Sequence, residues 1–155
     1  MQFTTLTLKI VSALALARVV AATPTPDVAT KVVTIEEMKD WLANTDAELT
    51  FAGNAVNVTS LSALEPDEDT VVVYCTTLTS NGRFCGGRCT VYQGLNNCIS
   101  APDTNCISST RNIATCTQRN CQSCRDLFPC SRPLDDNFCA APGVVSFAAC
   151  RFSFT

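Results

Sequence analysis

Apolar residues at Ile35, Met38, Trp41 and Leu42 recur at the three-and-four spacing that lines one face of an α-helix. Thr34-Ile35-Glu36-Glu37 in front of them is a capping box: the Thr34 hydroxyl can accept from the Glu37 amide while Glu37 reaches back. The pattern predicts one short amphipathic helix over about 35–44. A helix of that length is marginal alone, so its stripe must pack on something, with Trp41 the expected anchor. Leu49 to Val58 alternates loosely and predicts a strand or hairpin around Gly53-Asn54. Further on, Cys85-Gly86-Gly87-Arg88-Cys89 reads as a tight turn, because glycine alone enters positive φ without a steric penalty. Thr90-Val91-Tyr92 after it is β-branched and aromatic, as a strand requires.

From Val71 the pattern repeats. Cys75 and Cys116 are 41 residues apart, as are Cys98 and Cys139, and Pro102 answers to Pro142. Cys85-x3-Cys89 in the first copy answers to Cys121-x2-Cys124 in the second, and each copy closes on a small-residue strand ending in arginine, Arg111 and Arg151. A period near 40 residues predicts two antiparallel units, 71–112 and 113–152.

The ends and the charge add to this. Residues 1–22 read as a secretory signal: Lys9 closes a short n-region, Ile10 to Ala17 is too short to span a bilayer, and Val20 and Ala22 suit cleavage ahead of Thr23. Ala15-Leu16-Ala17 fits the same rule. Residues 23–70 form an acidic lead-in, with ten acids against two lysines, and 71–155 form a weakly basic domain with seven arginines and four aspartates. The lead-in is either a solvated tether or a cover docked on the arginine-bearing face, through Trp41 and with Glu65 to Asp69 against Arg83, Arg88 or Arg111. So weak and dispersed a basic balance does not point to nucleic acid.

All eleven cysteines lie between Cys75 and Cys150, which implies an oxidising, extracellular compartment and a disulfide scaffold. Cys75, Cys85, Cys89, Cys98, Cys106, Cys116, Cys121, Cys124, Cys130 and Cys139 are the expected bridge-formers. Cys106 and Cys130, which lack repeat counterparts, are expected to pair. Cys150, near the end of an apolar strand, is the candidate free thiol, or an inter-chain link if the chain dimerises. Asn57-Val58-Thr59 is an N-glycosylation acceptor.

Histidine is absent, which removes Ser-His-Asp and Cys-His catalysis and histidine-ligated zinc. Asp103, Asp126, Asp135 and Asp136 are more simply turn residues than a catalytic carboxylate pair. The expectation is therefore a protein that is not an enzyme and needs no cofactor. Its binding residues are sought on loops of a cross-linked β framework: Arg83, Arg88, Arg111, Arg119 and Arg125. The partner would be an extracellular protein or glycan. The alternative is a protease inhibitor or toxin-like antimicrobial protein, with Arg119 between Cys116 and Cys121 as the reactive-site residue.

Two resemblances follow from these residues. The strand–turn–strand unit closing on Ile107-Ser108-Ser109 resembles a βγ-crystallin-type Greek key, and Thr104-Asn105-Cys106-Ile107-Ser108-Ser109 is similar to that family's calcium motif, with Thr104 standing for an acid. What this implies is a mostly β, disulfide-rich fold of two Greek-key-like repeats after one helix, with calcium, if bound, at Asn105 and Ser108. The missing carboxylate argues against the ion. The pattern from the Trp41 helix to Val144 also resembles small cysteine-rich secreted proteins of mushroom-forming fungi, which implies an effector-like role at a cell wall or foreign surface.

Overall fold

The computed structural model describes residues 32–55, 57–59, 61, 69–95 and 98–149. Helix α1 spans Ile35–Asn44, and both halves of its capping box form: the Glu37 amide donates to Thr34 Oγ1 at 3.1 Å and the Thr34 amide to Glu37 Oε2 at 2.7 Å. Seven strands follow: β1 Glu48–Gly53, β2 Thr70–Thr79, β3 Phe84–Gly94, β4 Ile99–Ser109, β5 Ala114–Gln118, β6 Gln122–Asp126 and β7 Cys139–Ala148. They make one mixed sheet in the order β1-β3-β2-β4-β7-β5-β6. Only β1 on β3 is parallel; every other pair is antiparallel.

The sheet divides between β4 and β7 into two halves with one strand order, β3-β2-β4 and β6-β5-β7. Cys75 faces Cys89 across β2–β3 as Cys116 faces Cys124 across β5–β6, and both facing pairs are disulfides. Each hairpin turns through a 3-10 segment with an asparagine in the left-handed region, Asn81 at φ 60° and Asn120 at φ 58°. In β4 and β7 an Ala-Pro step precedes a positive-φ residue, Asp103 in one and Gly143 in the other.

The first hairpin therefore turns at Ser80–Gly82 and not at Gly86-Gly87, which lie inside β3. The glycines serve a different end. A Cβ on Gly87, at φ +79°, would stand 2.6 Å from Thr77 Oγ1, where the β2–β3 register shifts between Cys75 and Thr77. The pair accommodates a bulge, which glycine marks as readily as a turn.

β2 carries a continuous apolar run because both faces of the sheet are buried. On one face Val71, Val73 and Cys75 meet Met38 and Leu42 of α1, together with Ala55, Leu61, Leu134 and Phe138. On the other, Val72 and Ile107 join Val144 and Phe147. The rings of Tyr74 and Tyr92 stand edge-on to Phe147 at 5.5 and 5.7 Å. Tyr92 and Phe147 come from strands three places apart in the sheet, so this face is concave.

The described residues before Thr70 are thus part of the fold. They supply β1, and Val33 donates its amide to the Ser109 carbonyl at 3.1 Å. Trp41 packs half-buried on the core under α1, while Met38 and Leu42, 2% and 4% exposed, are seated more deeply. These two lie four residues apart at the centre of the stripe, with Ile35 and Trp41 on its flanks. Asp69 meets Gln93 Nε2 at 2.9 Å and Asn54 Nδ2 at 3.4 Å rather than an arginine, and Glu65 to Glu68 lie outside the described residues.

Five disulfides form among the described residues: Cys75–Cys89, Cys85–Cys106, Cys98–Cys121, Cys116–Cys124 and Cys130–Cys139. The expected Cys106–Cys130 bridge is not among them. Cys106 lies on the α1 side of the sheet beside Cys85, whereas Cys130 packs with Cys139 on the concave side. Cys98 and Cys139, matched by spacing, are likewise not equivalent, since one bonds Cys121 and the other Cys130. Cys150 lies outside the described residues.

Candidate functional site

Asp136, in the loop before β7, carries a carboxylate on which three parts of the chain converge. Its Oδ2 accepts from the Cys85 amide of β3 at 2.8 Å and from Trp41 Nε1 of α1 at 3.3 Å. Its Oδ1 is enclosed without a well-formed hydrogen bond, although the amides of Asp136 and Phe138 stand nearby. Burial pushes the acid above the usual aspartate range, outweighing the nearby N–H donors, which act the other way. Behind it the Trp41 ring packs on Phe138 at 4.6 Å, tilted by 46°.

In front of Asp136 a groove of about 380 Å³ opens between the end of α1 and the β2–β3 hairpin. Trp41 and Phe84 supply its aromatic surface, Phe84 being 38% exposed. Asn44, Thr45, Thr79 and Ser80 supply amide and hydroxyl groups, and Asp46 a second carboxylate. On the rim, Arg83 stacks over Phe84 at 5.9 Å and donates to Asp135 Oδ2 from both Nη2 and, at 2.8 Å, Nε. Its charge is matched locally, and among the described residues no lysine or arginine lines the groove.

The sequence-predicted arginines are not brought together. Arg83 alone borders this groove. Arg88 lines a second groove, of about 390 Å³, among Thr50, Tyr74, Thr76 and Thr90. Arg111 is half-buried between β4 and β5, Arg119 stands exposed at the tip of the β5–β6 hairpin, and Arg125 is exposed on β6 beside a small cavity of about 70 Å³. Asn57 is exposed.

Asn105 and Ser108 do not form one site either. Three residues apart on β4, they point to opposite faces. Asn105 Nδ2 donates to the Thr76 carbonyl at 2.6 Å and Ser108 Oγ to the Asn137 carbonyl at 3.1 Å. The sulfurs of Cys75, Cys85 and Cys106 lie within 4.8 Å of one another, but all three are in disulfides, and the metal ligand is the thiolate.

What the sequence hid is the conjunction of Trp41, Phe84 and Asp136. Trp41 and Asp136 are 95 residues apart, and Asp135-Asp136 has the composition of an ordinary turn. No family model, curated protein or solved structure matches the chain. No helix among the described residues is long and apolar enough to cross a membrane.

Proposed function

We propose that this chain is a secreted, non-enzymatic binding protein, acting outside the cell on a glycan surface through the Trp41–Phe84–Asp136 groove. The observation that carries this reading is the groove's make-up: two aromatic rings offering apolar surface, ringed by short amide and hydroxyl side chains and backed by a carboxylate. Aromatic platforms with a few placed polar groups suit sugar rings, whose faces are apolar and whose edges are hydroxyl-rich. The scaffold agrees, since the Cys85–Cys106 bridge fixes the strand next to Phe84 onto β4. The signal-like residues 1–22, the cysteine usage and the acceptor at Asn57 support an extracellular setting. The matched order of the two halves supports the duplicated, Greek-key-like reading as far as three strands in each.

An inhibitor acting through Arg119 is less well supported. A substrate-like inhibitor offers its reactive residue in extended backbone, and Arg119 opens a 3-10 turn. The reading is tested by co-sedimentation with insoluble wall polysaccharides beside a protease panel. Wild type should pellet with a polysaccharide and Phe84→Ala should not. Inhibition of a protease without any polysaccharide binding would reverse the conclusion.

A further inference from the structure

The groove has an electrostatic sign as well as a shape. Asp46 and Asp136 both line it, and among the described residues no basic side chain does. Asp136 accepts from neutral donors only, the Trp41 indole and backbone amides, so no cation offsets its charge. α1 adds to the same sign. It carries Glu36 and Glu37 in its first turn and Asp40 further on, and its last turn holds no basic residue. The negative end of the helix dipole, where Asn44 and Thr45 enter the groove wall, thus meets neutral donors, the Asn44 amide on the Asp40 carbonyl and the Thr45 amide on that of Trp41, and no cationic side chain of its own last turn. The aromatic faces of Trp41 and Phe84 carry negative π-density, which also attracts a cation. Arg83, on the outer rim, is held by Asp135, and Arg132 stands beside Gly82 at the far side of the same hairpin.

Five features thus favour positive charge in one cavity: two carboxylates, a helix C-terminus and two rings. The surrounding hydroxyl and amide groups say what should carry that charge. We infer that the groove takes a protonated amino sugar, a glucosamine-type unit whose ring stacks on Phe84 and Trp41 while its ammonium group lies toward Asp46 and the end of α1. This rests on the glycan reading above and narrows it, because an N-acetylated sugar of the same ring shape would lack the charge. A lysine side chain has the ammonium but not the hydroxylated ring, and the Asn44, Thr45, Thr79 and Ser80 groups would go unused.

The chain contains a single tryptophan, and it lies in the groove, so its fluorescence reports occupancy directly. The full mature protein would be titrated with a glucosamine oligomer, its N-acetylated counterpart of equal length and a lysine-rich peptide, in mildly acidic low-salt buffer. The expected result is saturable binding of the glucosamine oligomer, about tenfold tighter than the acetylated one and weakened by salt. Asp46→Asn, at an exposed position, should bring the affinity for the glucosamine oligomer down to that for the acetylated one, erasing the preference. Phe84→Ala should lose both sugars, and Gln122→Ala on the far edge strand should lose neither.

Equal binding of the two oligomers would overturn the amino-sugar assignment while keeping the glycan reading. Binding of neither sugar would overturn both. Binding of the lysine-rich peptide as tightly as the glucosamine oligomer would overturn the assignment in favour of a basic protein partner.

Discussion

Asp136 offers the sharpest test of how the helix is held to the sheet. Asp136→Ala leaves the Cys85 amide and the Trp41 indole without their acceptor. A buried donor stripped of its partner costs about 1–3 kcal/mol. The Cys85 amide faces most of that penalty, while half-buried Trp41 recovers part of it from water, so a loss of about 2–4 kcal/mol is expected. Asp136→Asn behaves differently. It keeps an oxygen for the two donors and removes a poorly solvated charge, and these changes oppose each other to leave about 1 kcal/mol or less at neutral pH.

The pH dependence separates the two effects. The folded-state pKa of Asp136 lies above its ordinary value of 3.8, so the folded chain holds the proton more tightly than the unfolded chain. The group's contribution to stability is then largest in acid. It declines as pH rises from the unfolded value through the raised folded value, and is constant above that. The stability of wild type relative to Asp136→Asn should accordingly fall as pH rises from about 4 and then level off. Urea denaturation followed by Trp41 fluorescence across that range measures it. An Asp136→Ala variant no less stable than Asp136→Asn, or a wild type that gains on Asp136→Asn as pH rises, would refute the reasoning.

Other consequences are equally open to measurement. Met38→Ala should cost about 2–5 kcal/mol and expose the segment before Thr70 to limited proteolysis, with Trp41→Ala less damaging because its ring is only half-buried. Gly53→Ala should loosen β1 from β3, since a Cβ there would meet the Gln93 carbonyl at 2.2 Å with φ at +69°; hydrogen exchange at the Asn54 amide, bonded to that same oxygen, would quicken. Arg83→Ala should change stability by about 1 kcal/mol or less, because its pair with Asp135 is exposed, and the change should shrink in salt. Peptide mapping under non-reducing conditions should recover Cys85–Cys106 and Cys130–Cys139 and no Cys106–Cys130 peptide.

The parts of this fold legible in the sequence were those set by local chemistry. The capping box and the spacing of Ile35, Met38 and Leu42 specify α1 to its ends, because both its start and its buried face are decided within ten residues. The β character, the disulfide scaffold and the correspondence of Cys75 with Cys116 and of Cys89 with Cys124 were legible for the same reason, whereas the bonding of Cys75 to Cys89 and of Cys116 to Cys124 was not. Gly86-Gly87 was misleading because a bulge and a turn ask the same thing of glycine, and the true turn at Ser80–Gly82 carries the weaker signal Ser-Asn-Gly. Parallel pairing of β1 with β3 was invisible, since nothing in Glu48–Gly53 names a partner. The groove was illegible for a related reason. Trp41, Phe84 and Asp136 meet only once the sheet has formed, and the arginines that charge alone put forward end up dispersed.

The seam between β4 and β7 bears a further meaning. Ile99 faces Phe147 and Ile107 faces Cys139; when the Ala-Pro steps of the two strands are superposed, Ile99 is the counterpart of Cys139 and Ile107 of Phe147. Each contact is therefore matched by its own exchange, which is the rule of an isologous two-fold interface, here joined within one polypeptide. A half-molecule ending at Ser109 would present β4 as a bare edge whose natural complement is a second copy of itself. The helix breaks this equality: α1 lies against the hairpin that turns at Asn81 and not the one that turns at Asn120. One end of a near-symmetric object is in this way made into a groove, while the other carries no helix among the described residues.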